Sequence, residues 1–181
     1  MSDVVSVWPR TAPLADLVRA RPDNPYRRRF IADDAARAAV AKALGLVALE
    51  RLEADMSVHG WFDGVAIDGR WRARVVQICG VSLEPFATDL EGEFTVRAVP
   101  SGSPHAPDPD AEIVIDLEAD DPPDVLDGEF VDLGGYVVEH LALEIDPFPR
   151  KPDAVFVPPE APVERSPFAV LRSLKPNDAP E

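Results

Sequence analysis

Glu50-Arg51-Leu52-Glu53-Ala54-Asp55-Met56-Ser57-Val58 places Leu52, Ala54, Met56 and Val58 on one side of an extended chain and Arg51, Glu53, Asp55 and Ser57 on the other. Successive side chains of a strand point to opposite faces, so this period of two describes a strand with one face in a core and one in water. Downstream, residues 61–67 meet Asp68-Gly69, a pair suited to a two-residue hairpin turn, and residues 70–78 return alongside. The alternation resumes over residues 87–98, with Leu90, Gly92, Phe94 and Val96 inward and Glu91, Glu93, Thr95 and Arg97 outward. An antiparallel meander is the simplest arrangement of these segments.

Helices are expected on both sides of it. A short helical stretch begins at Leu14 and is broken by Pro22 and Pro25, and residues 26–31 read as a strand carrying Arg27, Arg28 and Arg29. Asp33 or Asp34 then caps a helix through Ala35, Ala39, Val40 and Leu44, with Gly45 as its stop. Asp132 caps a second main helix in which Leu133, Val137, Leu141 and Ile145 recur every four residues. Gly134 and Gly135 weaken its first turn by about 1 kcal/mol each relative to Ala.

Between them, residues 100–110 are too rich in Pro, Gly and Ser for regular structure and read as a mobile surface loop. Short strands are expected at 112–117 and 128–131, joined through an acidic turn at 118–127. Beyond Asp146 lie 9 of the 20 prolines, which fits an extended tail. Within it Ser166 and Pro167 can start a short helix presenting Phe168, Leu171 and Leu174, too short to persist without docking. The fold class is therefore α+β: a mainly antiparallel, curved sheet able to close toward a barrel, packed by two main helices. Residues 1–146 are expected to form one domain, and 147–181 a proline-rich tail with a helix at 167–174.

Composition narrows the function. A chain of 181 residues with 46% hydrophobic side chains can bury a core. No apolar run approaches the roughly 18 residues of a membrane span, and the first residues lack the pattern of a signal peptide, so a cytoplasmic protein is expected. The single Cys79 cannot form an internal disulfide or a multi-cysteine zinc site. Net charge is -15, and residues 84–146 hold 18 acidic side chains against one basic one, Arg97. A field of this sign repels a phosphate backbone and attracts basic proteins. Many acidic proteins carry such charge for solubility alone.

Three stretches carry a kinship. The first, residues 75–86, leaves a strand at Cys79-Gly80, turns, and starts another through Leu83-Glu84-Pro85. The second holds Asp132-Leu133 and Glu139-His140, followed by Asp146-Pro147-Phe148-Pro149-Arg150-Lys151-Pro152. The third is Ser166-Pro167-Phe168-Ala169-Val170-Leu171-Arg172-Ser173-Leu174-Lys175. In order and spacing these blocks resemble the YceD family, the large ribosomal RNA subunit accumulation proteins. Cys79, Leu83, Glu84, Pro85, Asp132, Leu133, Glu139, Pro149 and Arg150 are the motif positions. The resemblance implies a role in making large ribosomal subunits with no known reaction, and in that role the acidic charge leads us to expect a basic ribosomal protein or an rRNA-processing factor as partner, with limited direct RNA contact. Many relatives resemble a two-cysteine pattern here with further cysteines near the C-terminus, which suggests metal binding. This chain has Ser82 in the second place and no cysteine after Lys151, so that site does not carry over.

Each candidate for chemistry has a plainer alternative. Cys79 as a nucleophile needs a histidine or cation beside it, and none of His59, His105 and His140 lies in a local motif with it. His140 with Glu139 supplies two metal ligands where zinc takes three or four. The acids Asp116, Glu118, Asp120, Asp121 and Asp124 lack the ligand spacing of a calcium loop. Arg70, Arg72 and Arg74 share one face of a strand and form a basic ridge, extended by Arg27, Arg28 and Arg29 if that strand lies alongside, unless Glu91 and Glu93 neutralise it. No catalytic residue, cofactor or metal is expected. The other readings are a small-molecule enzyme using Cys79 or the His140 and Glu139 pair, and an acidic interaction module unrelated to ribosomes.

Overall fold

The structure, a computed structural model, describes residues 6–107 and 121–156. In chain order the elements are β1 (Thr11–Pro13), α1 (Leu14–Leu17), β2 (Tyr26–Ile31), α2 (Asp34–Ala43), β3 (Ala48–Trp61), β4 (Gly64–Ile78), β5 (Pro85–Pro100), β6 (Asp124–Leu126), β7 (Phe130–Asp132) and α3 (Leu133–Glu144). Five strands form one sheet in the order β2-β3-β4-β5-β6, antiparallel except for the short parallel pairing of β5 with β6, and β1 pairs with β7 in a separate ribbon. The architecture is α+β, and the sheet stays open, with β2 and β6 at its edges.

The alternation read from residues 50–58 sets the faces. Leu52, Ala54, Met56 and Val58 of β3 are buried with Ile67, Trp71, Ala73 and Val75 of β4 and Phe94 of β5. Trp8, Leu17 and Val40, with Val131, Leu133, Val137 and Leu141, close the core over that face. Full burial of such a side chain contributes about 1.5–3 kcal/mol. Both main helices begin as expected: the Asp33 carboxylate accepts the Ala36 amide at 2.8 Å and the Asp132 carboxylate accepts the Gly134 amide at 3.1 Å. Gly45 takes a left-handed φ of 67° just past α2.

The hairpin turn lies elsewhere than expected. β3 and β4 join through Phe62 and Asp63, with Trp61 opposite Gly64, while Asp68 and Gly69 sit inside β4. A turn at 68–69 would have cut the hydrophobic stripe of β4 in two, and burying that stripe whole outweighs local turn preference. Gly69 is instead covered by the ring of Phe94 directly across on β5, and Asp68 accepts the Thr95 hydroxyl at 2.9 Å. Residues 124–126, expected within an acidic turn, form β6 against Ala98, Val99 and Pro100. The strand expected at 112–117, Asp116, Glu118 and Asp120, and the helix carrying Phe168, Leu171 and Leu174 lie outside the described residues. No described helix is long and apolar enough to cross a membrane.

Candidate functional site

At one end of the β4–β5 hairpin, two of the motif stretches close on each other. After α3 the chain runs back so that the Pro149 carbonyl accepts the Gly80 amide at 2.9 Å and the Asp146 carbonyl accepts the Gln77 side chain at 3.0 Å. Lys151 pairs with Glu84 at 2.8 Å, which lowers the carboxyl of Glu84 and raises the amine of Lys151, in each case through the hydrogen bond first. Cys79, Leu83, Glu84, Pro85, Pro149 and Arg150 thus come together in a clasp. Within the turn after Gly80 the left-handed residue is Leu83, with a φ of 60°.

Cys79 is the pin of this clasp. Its Sγ is fully buried and accepts main-chain amides of Val81 at 3.4 Å, Ser82 at 3.3 Å and Lys151 at 3.3 Å. The Ser82 side chain, then the amides of Ser82 and Lys151, hold the thiol down at about 6 against burial, because donors aimed at sulfur favour the thiolate. The arrangement ties residue 151 to residue 79; attack on a substrate needs a sulfur that solvent and substrate can reach. His59 lies on β3, His105 beside the β3–β4 turn and His140 on α3.

Asp132 and Leu133 stand apart from the clasp. The Asp132 carboxylate also accepts the Arg10 amide at 2.8 Å, and Leu133 donates its own amide to the Arg10 carbonyl, so this motif pair fastens the N-terminal segment to the start of α3. Glu139 and His140 are consecutive on α3, and the imidazole stacks flat on Phe94 at 4.1 Å and 6°. Phe94 is thereby held between His140 and Gly69. Beside it a hollow of about 530 Å³ is lined by Arg97, Asp121, Asp124, Tyr136 and Glu139. Burial and the charge of Asp124 push the Tyr136 hydroxyl far above its usual range. Among the described residues no group of three or more His, Cys, Asp or Glu is placed to hold a metal ion.

The outer face of the sheet is an alternating lattice of charge, not a basic ridge. Because β3 lies between β2 and β4, Arg29 stands opposite Asp55, Asp55 opposite Arg70, and Arg70 opposite Glu93; Glu53, Arg72 and Glu91 form the next row. Arg29 bonds Glu53 at 2.7 Å, Arg70 reaches Glu93 at 3.3 Å and Arg72 reaches Glu91 at 3.4 Å. A bulge between Leu49 and Arg51 sets Arg51 opposite Arg74, a repulsive pair that Asp89 bridges from β5 while Glu50 pairs with Arg74 at 2.9 Å. Arg28 leaves this face altogether and lies over the Tyr26 ring, whereas Arg27 is exposed beside Ser57. A trough of about 550 Å³ runs along the paired rows.

One cluster escaped the sequence reading. At the β3–β4 turn Trp61, Phe62 and His105 meet, with the Arg97 guanidinium 5.3 Å from the indole centre. Some forty residues separate His105 from the two aromatics, and only the misplaced turn at 68–69 hid that Phe62 stands at a tip.

The family model described as large ribosomal RNA subunit accumulation protein YceD matches residues 67–175, more than half of the chain, and the chain belongs to that family. The matched region takes in most of β4, then β5 to β7, α3 and the clasp. No curated protein and no solved structure matches the chain.

Proposed function

We propose that this member of the YceD family supports the accumulation of large-subunit ribosomal RNA without catalysing a reaction, by binding a basic ribosomal protein or an rRNA-processing factor. The observation that carries this reading is the pairing of the outer-face arginines. Arg29, Arg51, Arg70, Arg72 and Arg74 each pair with a carboxylate of another strand, so the strongest basic feature of the sequence is neutralised where it lies. A phosphate backbone would have to displace those carboxylates, against a net charge of -15. A basic protein meets the opposite situation, since long-range attraction speeds its encounter with an acidic surface.

The clasp fits a binding role as well. It places Leu83 and Phe148, 75% and 82% exposed, at one end of the sheet, with Arg150 exposed beside them. The test is genetic: a strain lacking this protein is expected to under-accumulate large-subunit rRNA, most strongly in the cold and under stress, and the full-length chain restores it. Normal large-subunit levels under both conditions would overturn the role.

A further inference from the structure

We infer that the β3–β4 tip is an aromatic anchor that seats in an apolar pocket of a basic partner protein, with Phe62 as the inserting side chain. This rests on the partner class proposed above and names the surface that meets it.

Phe62 has a φ of 52° and is 65% exposed. A bulky side chain is rare in that backbone region, where Gly or Asn is at ease. The backbone at the tip would suit a glycine better than a phenylalanine, and backbone strain of this kind gathers at working surfaces. The ring is nonetheless held in place. It stacks on His105 with centroids 4.0 Å apart at 13° and meets Trp61 edge-on at 4.6 Å. His105 is fixed in turn by Ser103, whose hydroxyl donates to Asp63 at 2.9 Å and accepts the His105 amide at 3.0 Å. An anchor already ordered before contact loses little freedom on binding. Aromatic side chains backed by arginine, as Trp61 is by Arg97, are also the types that carry most energy in protein interfaces.

The surroundings select the partner. Asp63 sits at the turn, and Arg97, which backs Trp61, shares a hollow with Asp121, Asp124 and Glu139. Flat rings can stack on unpaired bases, but the phosphates linking those bases would meet this acidic rim. A protein surface with lysines and arginines around an apolar pocket satisfies both the ring and its rim.

The full-length chain is immobilised and challenged with total protein of large ribosomal subunits freed of RNA, and separately with the naked rRNA. Wild type is compared with Phe62→Gly, a substitution that relieves the backbone. Expected are retention of basic subunit proteins by wild type, a loss of at least about tenfold in Phe62→Gly, and an equal or higher melting temperature of the variant. Equal retention by both overturns the anchor while leaving the basic partner standing. A lowered melting temperature overturns it too, by making Phe62 a residue of the fold. Retention of rRNA alone, or of neither probe, by wild type overturns the anchor and the proposed partner class together.

Discussion

Gly92 of β5 lies directly opposite Trp71 of β4, and the indole occupies the space above it: a Cβ at position 92 would stand 2.7 Å from Trp71 Cζ2. Two residues along, the relation is inverted, with Gly69 of β4 beneath the Phe94 ring of β5. Each glycine leaves room for the aromatic across from it, which joins β4 to β5 through two interlocked pairs on the core face. Replacing a strand glycine ordinarily strengthens the strand. Here Gly92→Ala and Gly69→Ala are each expected to destabilise by about 1–3 kcal/mol, because the ring has no room to yield. Denaturant unfolding checks the sign. In a double-mutant cycle, Gly69→Ala combined with Phe94→Ala should cost less than the two single changes added.

A second pair of neighbouring glycines separates propensity from packing. Both Gly134 and Gly135 lie in the first turn of α3, yet a Cβ on Gly134 would run into the Trp8 carbonyl, whereas one on Gly135 would meet only the capping Asp132 side chain, no nearer than 3.1 Å. Gly134→Ala is expected to lower stability by about 1–3 kcal/mol. The neighbouring Gly135→Ala should come close to the gain of up to about 1 kcal/mol that helix propensity gives. Thermal unfolding of the two variants side by side decides it.

The Cys79 thiol lies near 9.0 when free and at about 6 in the clasp. A depressed acid stabilises the fold in full above the free value, and that contribution declines as pH falls and is gone below about 6. The stability difference between wild type and Cys79→Ala should therefore widen as pH rises through this window, read from unfolding midpoints. Thiolate absorbance should titrate near the lower value, while alkylation by a bulky reagent stays slow because Sγ is buried. A difference independent of pH would remove the thiolate from the clasp.

On the outer face, the lattice is expected to respond to order more than to any single pair. Exposed pairs contribute roughly 0.2–1 kcal/mol each and less as salt rises. Reversing Arg70 to Glu sets like charges on three neighbouring strands, since Asp55 and Glu93 flank it. The exchange Arg70→Glu with Glu93→Arg should recover part of the loss at low salt, and added salt should narrow the gap between single and double variants.

Much of this fold is legible because burial writes a period into the chain. The alternation at residues 50–58 gives β3 its faces, and the Asp33 and Asp132 caps mark where both helices start. What stayed hidden depends on residues far apart. Asp68-Gly69 reads locally as a turn, and only Phe94, 25 positions on, explains a glycine in mid-strand. The clasp joins Cys79 to Lys151, and nothing at either position alone announces the other. Arg70, Arg72 and Arg74 read as a ridge until the strand order places Asp55 and Glu53 between them and Arg29.

The most direct measurement is recovery of the full-length protein from native lysate at low and at moderate salt, with bound proteins identified by mass spectrometry and bound RNA by sequencing. Expected are large-subunit proteins, with any precursor rRNA they carry, held at low salt and released as salt rises, the behaviour of an acidic factor bound through charge. Recovery with no ribosomal component at either salt would contradict the proposed role.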